Sequence, residues 1–126
     1  MNKYRNTPQD IHTRIYRFII AVFRDVIKKI PKNTESLPII SQLSSSLTSM
    51  GANDQEADAT SSRRDFIAKY SIVKKETKET KYWLSFVRDA DLVSNKIVDP
   101  YIQECQEILL IVSVIIENTK GIQISK

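Results

Sequence analysis

Asn53, Glu56, Glu76 and Glu79 stand in stretches whose spacing is otherwise that of buried helix faces. Polar side chains so placed could serve general acid–base catalysis, metal binding, a structural polar network or a solvated face. Glu76 and Glu79 share the row Ile72, Glu76, Glu79, Trp83, Phe86, spaced 4-3-4-3. With an isoleucine on one side and two large aromatics on the other, both glutamates are expected to be half-buried. A stranded buried carboxylate costs on the order of several kcal/mol, so partners are required. Those on offer are Arg14 or Arg17, Asn53, or a neighbouring subunit. No nucleophile or positioned histidine accompanies the pair, which weighs against catalysis. Asn53, Glu56, Glu76 and Glu79 therefore read as a structural polar network that holds helices in register.

Metal binding is also disfavoured. Di-metal helical bundles carry Glu-x-x-His on two helices, and this chain has one histidine, His12, with Gln9 at the matching offset. Near a helix start, His12 reads as exposed or capping. Cys105 lies on an apolar stripe and reads as a small core residue; a lone cysteine forms no internal disulfide, which points to a reducing compartment. Tyr82 and Trp83 read as rim and packing residues. The chain has neither a glycine-rich phosphate loop nor a Ser/His/Asp set. No enzymatic activity, cofactor or metal is expected.

Charge is distributed unevenly. Residues 1–32 hold eight basic residues against Asp10 and Asp25, a balance of +6, and residues 63–81 hold seven against three acids, a balance of +4. Residues 97–119 carry four acids and no base. Arg14, Arg17, Arg24 and Lys28 on the first segment, with Lys74, Lys78, Lys81 and Arg88 on the third, are expected to form a shared basic face able to neutralise phosphates. The overall charge of +4 alone implies no partner.

The elements that must position these groups are helices. Two glycines and four prolines in 126 residues are too few for the frequent turns of a β-rich domain. The spacing predicts helices over residues 8–30, 36–59, 62–89 and 99–119. Thr7 caps the first, with Pro8 at its first position. That helix has two apolar stripes: Ile11, Ile15, Phe18, Val22, Val26, and Tyr16, Ile20, Phe23, Ile27, Ile30. In the second, Ile40, Leu43, Leu47, Met50 and Ala57 keep helical spacing, and Gly51 allows a kink or early end. Ser62, with Asp65 three residues on, marks an N-cap, and Phe66, Tyr70, Val73, Thr77, Thr80, Leu84 and Val87 form a heptad seam. Asp99-Pro100 opens the fourth helix, which is apolar almost all round in its second half, and Gly121 ends it. The fold class is all-α, an antiparallel up-down-up-down four-helix bundle forming a single domain over residues 1–126.

One set of residues resembles a known family. Ser41-Gln42-Leu43, Gly51-Ala52-Asn53 with Glu56-Ala57, Ser61-Ser62 with Asp65-Phe66 and Ser71, Lys75-Glu76, Glu79-Thr80 and Trp83-Leu84 look like the small bundle proteins named for intervening sequences of bacterial 23S ribosomal RNA. Many members read Asn-x-Ala-Glu-Gly where this chain has Asn53-Asp54-Gln55-Glu56-Ala57, so it resembles the branch lacking that glycine. The resemblance implies a homopentameric ring, places Asn53, Glu56, Glu76 and Glu79 in the family's structural network, and carries over no catalytic residue. A related group, the accessory variability determinants of diversity-generating retroelements, forms basic pentameric barrels that bind nucleic acid and a partner reverse transcriptase.

The sequence and this resemblance together lead to a non-enzymatic, oligomeric bundle that binds RNA or DNA through a basic surface, as accessory to a reverse transcriptase or other RNA-handling enzyme. The alternative is a scaffold whose partner is protein. MNKYRNTPQD has no apolar signal region, and the longest near-apolar run, residues 108–116, is far short of a membrane span. The expected location is cytoplasmic, with no membrane partner.

Overall fold

The computed structural model describes residues 9–124. They form α1 (Gln9–Asp25), a short 3-10 turn (Ile27–Lys29), α2 (Leu37–Asp58), α3 (Arg63–Asp89) and α4 (Asn95–Ile124), with no strand among them. Brief connections at 59–62 and 90–94 return the chain against the helix it has just left, so α2 packs on α3 and α3 on α4. α1 closes the bundle against α2 and α4, and its backbone makes no close approach to that of α3. The result is an all-α four-helix bundle with α1 and α3 at opposite corners.

The interior follows the apolar spacing. Ile11, Ile15, Phe18 and Val22 enter from α1, and Leu43, Leu47, Met50 and Ala57 from α2. All seven residues of the predicted seam, Phe66 to Val87, are buried on α3. From α4 come Val98, Cys105, Ile108, Val112 and Ile115. The second stripe of α1 divides. Ile27 and Ile30 are buried, while Tyr16, Ile20 and Phe23 are 66%, 37% and 50% exposed. On α4 the outward pair Leu110 and Val114 is exposed as well.

Local chemistry sets the helix ends. Ser62 Oγ accepts from Asp65 N at 3.0 Å, starting α3 where the cap predicts. The same helix ends with Leu92 N donating to Val87 O and Asp91 N to Arg88 O. That pattern is a Schellman closure, with Asp91 in the left-handed region at φ 58°.

Two predicted boundaries change. The first helix stops at Asp25 rather than 30. Pro31 disfavours helical backbone at Ile30, which is extended at ψ 124°, and the turn before it tightens into 3-10 hydrogen bonds. The fourth helix starts at Asn95 and runs through Gly121 to Ile124, rather than spanning 99–119. Ser94 O accepts from Ile97 N and Val98 N, which nucleates the helix one turn before Pro100. The carbonyl that Pro100 leaves without a donor is that of Lys96, an exposed residue on the first turn.

At Gly51 the helix does not stop, and α2 continues to Asp58. A Cβ there would lie 2.8 Å from Ile19 Cδ1, so the bare backbone admits α1. Thr7 and Pro8, the expected cap of α1, lie outside the described residues.

Candidate nucleic-acid interface

The eight cationic residues expected to meet phosphate divide into two kinds. Three are already engaged. Arg14 reaches from α1 to α4, its Nε 2.6 Å from Glu104 Oε2 and its Nη2 2.8 Å from Glu104 Oε1 and 2.6 Å from Glu107 Oε1. These bonds hold the guanidinium protonated beyond its ordinary range, and Arg14 in turn draws the Glu107 carboxyl below the usual glutamate value, assisted by Gln103. Arg88 donates to Asp89 at 2.8 Å and to Asp99 at 3.1 Å. Lys81 Nζ donates to Gln106 Oε1 at 2.6 Å.

The other five, Arg17, Arg24, Lys28, Lys74 and Lys78, have no ion-pair partner among the described residues. They do not share one face. A bundle of successive neighbours puts α1 and α3 on a diagonal, so these charges fall on two separate surfaces.

The outward row of α3 also differs from the expected one. Lys74, Lys81 and Arg88 are only half-exposed. The fully outward row is Arg64, Ala68, Ser71, Lys75, Lys78 and Tyr82, spaced 4-3-4-3-4, and every member is exposed. Lys75 was therefore the missing cation. Its position opposite the buried seam was the signal, since residues 75, 78 and 82 lie half a helix turn from 73, 77, 80 and 84. Ser71, Lys74, Lys75, Lys78 and Glu79 line a shallow depression of about 420 Å³. Three ammonium groups thus stand together, with Glu79 the one carboxylate of that lining, and its Oε2 accepts from Trp83 Nε1 at 3.3 Å.

The four residues expected to form one polar network do not bond to one another. Asn53 Nδ2 donates within α2 to Ser49 O and Oγ at 3.0 and 3.1 Å. Glu56 is exposed and accepts from Lys69 Nζ at 2.6 Å. Glu76 is half-buried. The buried polar junction is elsewhere, at Asp54, which is 1% exposed. Tyr70 Oη donates to Asp54 Oδ1 at 2.6 Å, and His12 Nδ1 lies 2.8 Å from Oδ2.

His12 is thus neither exposed nor a cap. Its side chain is 16% exposed, and its buried Nε2 has no hydrogen-bond partner among the described residues. The sequence did hold the signal for Asp54: it fills the vacant core position in the row Leu43, Leu47, Met50, Asp54, Ala57. A second buried bond, Thr80 Oγ1 to Ser46 Oγ at 2.9 Å, also ties α3 to α2. Cys105 is buried with Sγ 3.3 Å from Thr77 O, and burial pushes its thiol pKa up to about 12. Among the described residues no His, Cys, Asp and Glu cluster could hold a metal ion, and no helix is long and apolar enough to cross a membrane.

Residues 9–113 match the family described as 23S rRNA-intervening sequence protein. The chain belongs to that family. A crystal structure of a protein of unknown function from the S23 ribosomal protein family of Bacteroides thetaiotaomicron is similar to this intervening-sequence protein. The two share 27% identity over 85% of this chain and 95% of the other, with a TM-score of 0.77. Curated proteins give no match. The similar structure fits the fold described above, and neither its description nor the family's names a reaction.

Proposed function

We propose that this intervening-sequence protein is a non-enzymatic bundle that works as an oligomer and binds nucleic acid through its basic surface. The observation that carries this reading is the trio Lys74, Lys75 and Lys78, on and beside the outer face of α3, with no ion-pair partner among the described residues. Arg14, Lys69 and Arg88, by contrast, are each paired with carboxylates of the bundle itself. Unpaired ammonium groups on one face attract a polyanion by counterion release, without base readout.

Assembly as a ring, a pentamer on the family resemblance, would bring several copies of this face together and deepen its positive potential. The exposed stripe Tyr16, Ile20, Phe23 and the exposed pair Leu110, Val114 support such assembly, since both are apolar surface that a monomer leaves in water. The role of accessory to a reverse transcriptase belongs to this same proposal and rests on the resemblance alone. The same exposed apolar residues favour the second reading, a scaffold for a protein partner.

Fluorescence anisotropy of labelled RNA, duplex DNA and an RNA–DNA hybrid, at low and high salt, tests the main reading. Micromolar binding that weakens steeply with salt and is lost on reversing Lys74, Lys75 and Lys78 to glutamate supports it. Absence of binding at low salt by folded protein overturns it in favour of the scaffold. Light scattering that gives a mass of 14.5 kDa at micromolar protein removes the oligomer.

A further inference from the structure

The outer row of α3 does not end in charge. One turn beyond Lys78 it reaches Tyr82, which is 61% exposed although aromatic. Tyr82 is braced rather than loose: its ring meets Trp83 edge-on, with centroids 4.9 Å apart and planes at 78°. Trp83 in turn meets Phe86 edge-on at 5.8 Å, and Phe86 is 39% exposed. Trp83 itself is half-buried and held by its Nε1–H bond to Glu79. An outward aromatic face supported from behind is thus continuous, along a single helix, with ammonium groups at Lys75 and Lys78.

We infer that Tyr82 and Phe86 form a base-stacking platform, and that the ligand of the α3 surface is single-stranded nucleic acid. This deepens the proposed nucleic-acid reading and rests on it. A polyanion with no exposed ring faces would need the lysines alone. A single strand presents both groups that the row complements: phosphates for Lys75 and Lys78, and unstacked base faces for the rings beyond them. A duplex keeps its bases stacked internally and offers this face only its backbone. Stacking needs no particular base, so the surface distinguishes strandedness rather than sequence.

The chain supplies its own reporter, because Trp83 is its one tryptophan and lies against Tyr82. The experiment titrates the full chain with oligouridylate, an abasic strand of equal length and a duplex of equal length, following Trp83 fluorescence and anisotropy. Wild type, Tyr82→Phe and Tyr82→Ala are compared; Tyr82 is largely outside the core, and circular dichroism confirms each fold. The expected result is that oligouridylate binds about tenfold more tightly than the abasic strand. It alone should quench Trp83. Tyr82→Phe should keep this difference and Tyr82→Ala lose it, with the salt dependence unchanged.

Equal affinity for the uridylate and abasic strands, unaltered in Tyr82→Ala, overturns the platform and leaves the phosphate reading standing. Failure of every strand to bind at low salt overturns both. Quenching of Trp83 by rising protein concentration alone, abolished by Tyr82→Ala, overturns the platform by assigning the face to a second copy of the chain.

Discussion

Tyr70 donates its hydroxyl to Asp54 across 2.6 Å inside the core, joining α3 to α2 at a carboxylate that also meets His12 of α1. Three helices thus converge on one buried acid. Asp54→Ala removes the acceptor of both bonds and is expected to cost about 3 kcal/mol or more of unfolding free energy. Tyr70→Phe should cost about 1–3 kcal/mol. Combining Tyr70→Phe with His12→Ala should be non-additive, because both groups act on one carboxylate. Urea unfolding of Asp54→Ala, Tyr70→Phe, His12→Ala, the double variant and wild type checks each value.

Acid should weaken the seam between α1 and α4. Arg14 holds the Glu107 pKa below its ordinary value, so this pairing stabilises the folded chain above the unfolded pKa of glutamate. Its contribution is lost as pH falls through the lower folded value. Arg14→Gln is therefore expected to be less stable than wild type at neutral pH, with the gap closing below about pH 4. Urea midpoints measured across that range test it, and carbon-detected titration of Glu107 should show its pKa rise in the variant.

Salt dependence should count the unpaired lysines. Three phosphate contacts to a single strand give a slope of log affinity against log salt of roughly −2. Lys75→Ala should shrink that slope by about 0.7. Arg14→Ala should leave it unchanged, since Glu104 and Glu107 already neutralise that guanidinium. Equal effects from the two substitutions would mean that the whole molecule's charge, not the α3 face, drives association.

Asp91 holds the left-handed position that closes α3. A side chain there costs roughly 1–2 kcal/mol, part of which glycine recovers before paying in unfolded-chain entropy. Asp91→Gly should raise stability by about 0.5 kcal/mol, read as a higher thermal midpoint. Asp91→Val, β-branched in the same backbone, should lower it.

The Cys105 thiol, with its pKa pushed up to about 12 and its sulfur buried against Thr77 O, should resist alkylation in the folded chain at neutral pH. Labelling in rising urea should track global unfolding. Fast labelling in buffer would show that α4 opens away from α3.

The sequence revealed most where a local rule and the burial pattern agreed. Ser62 with Asp65, followed by the 4-3 seam from Phe66 to Val87, located α3 and its buried face in full. The ends of α1 and α4 were less legible because neighbours outvoted the obvious markers: Pro31 acted one residue upstream, and Pro100 and Gly121 were absorbed into a helix. Glu76 and Glu79 drew attention by charge and row, yet the buried acid is Asp54, whose partners lie 42 and 16 residues away. No short-range pattern pairs residues so distant. The basic surface was half legible, since counting charge by segment cannot show that diagonal helices never share a face.

The position of α1 has a consequence for the order in which the bundle comes apart. α3 lies close against both α2 and α4, whereas α1 is held at greater distance from its neighbours and is tied by side chains, through His12 to Asp54, Arg14 to Glu104 and Glu107, and Tyr101 to Asp25. Backbone amides of α1 should therefore exchange with deuterium through a sub-global opening of lower free energy than that of α3. The three later helices are then expected to outlast α1, so a protease that nicks near Pro31 should release a helix before it destroys the rest of the fold.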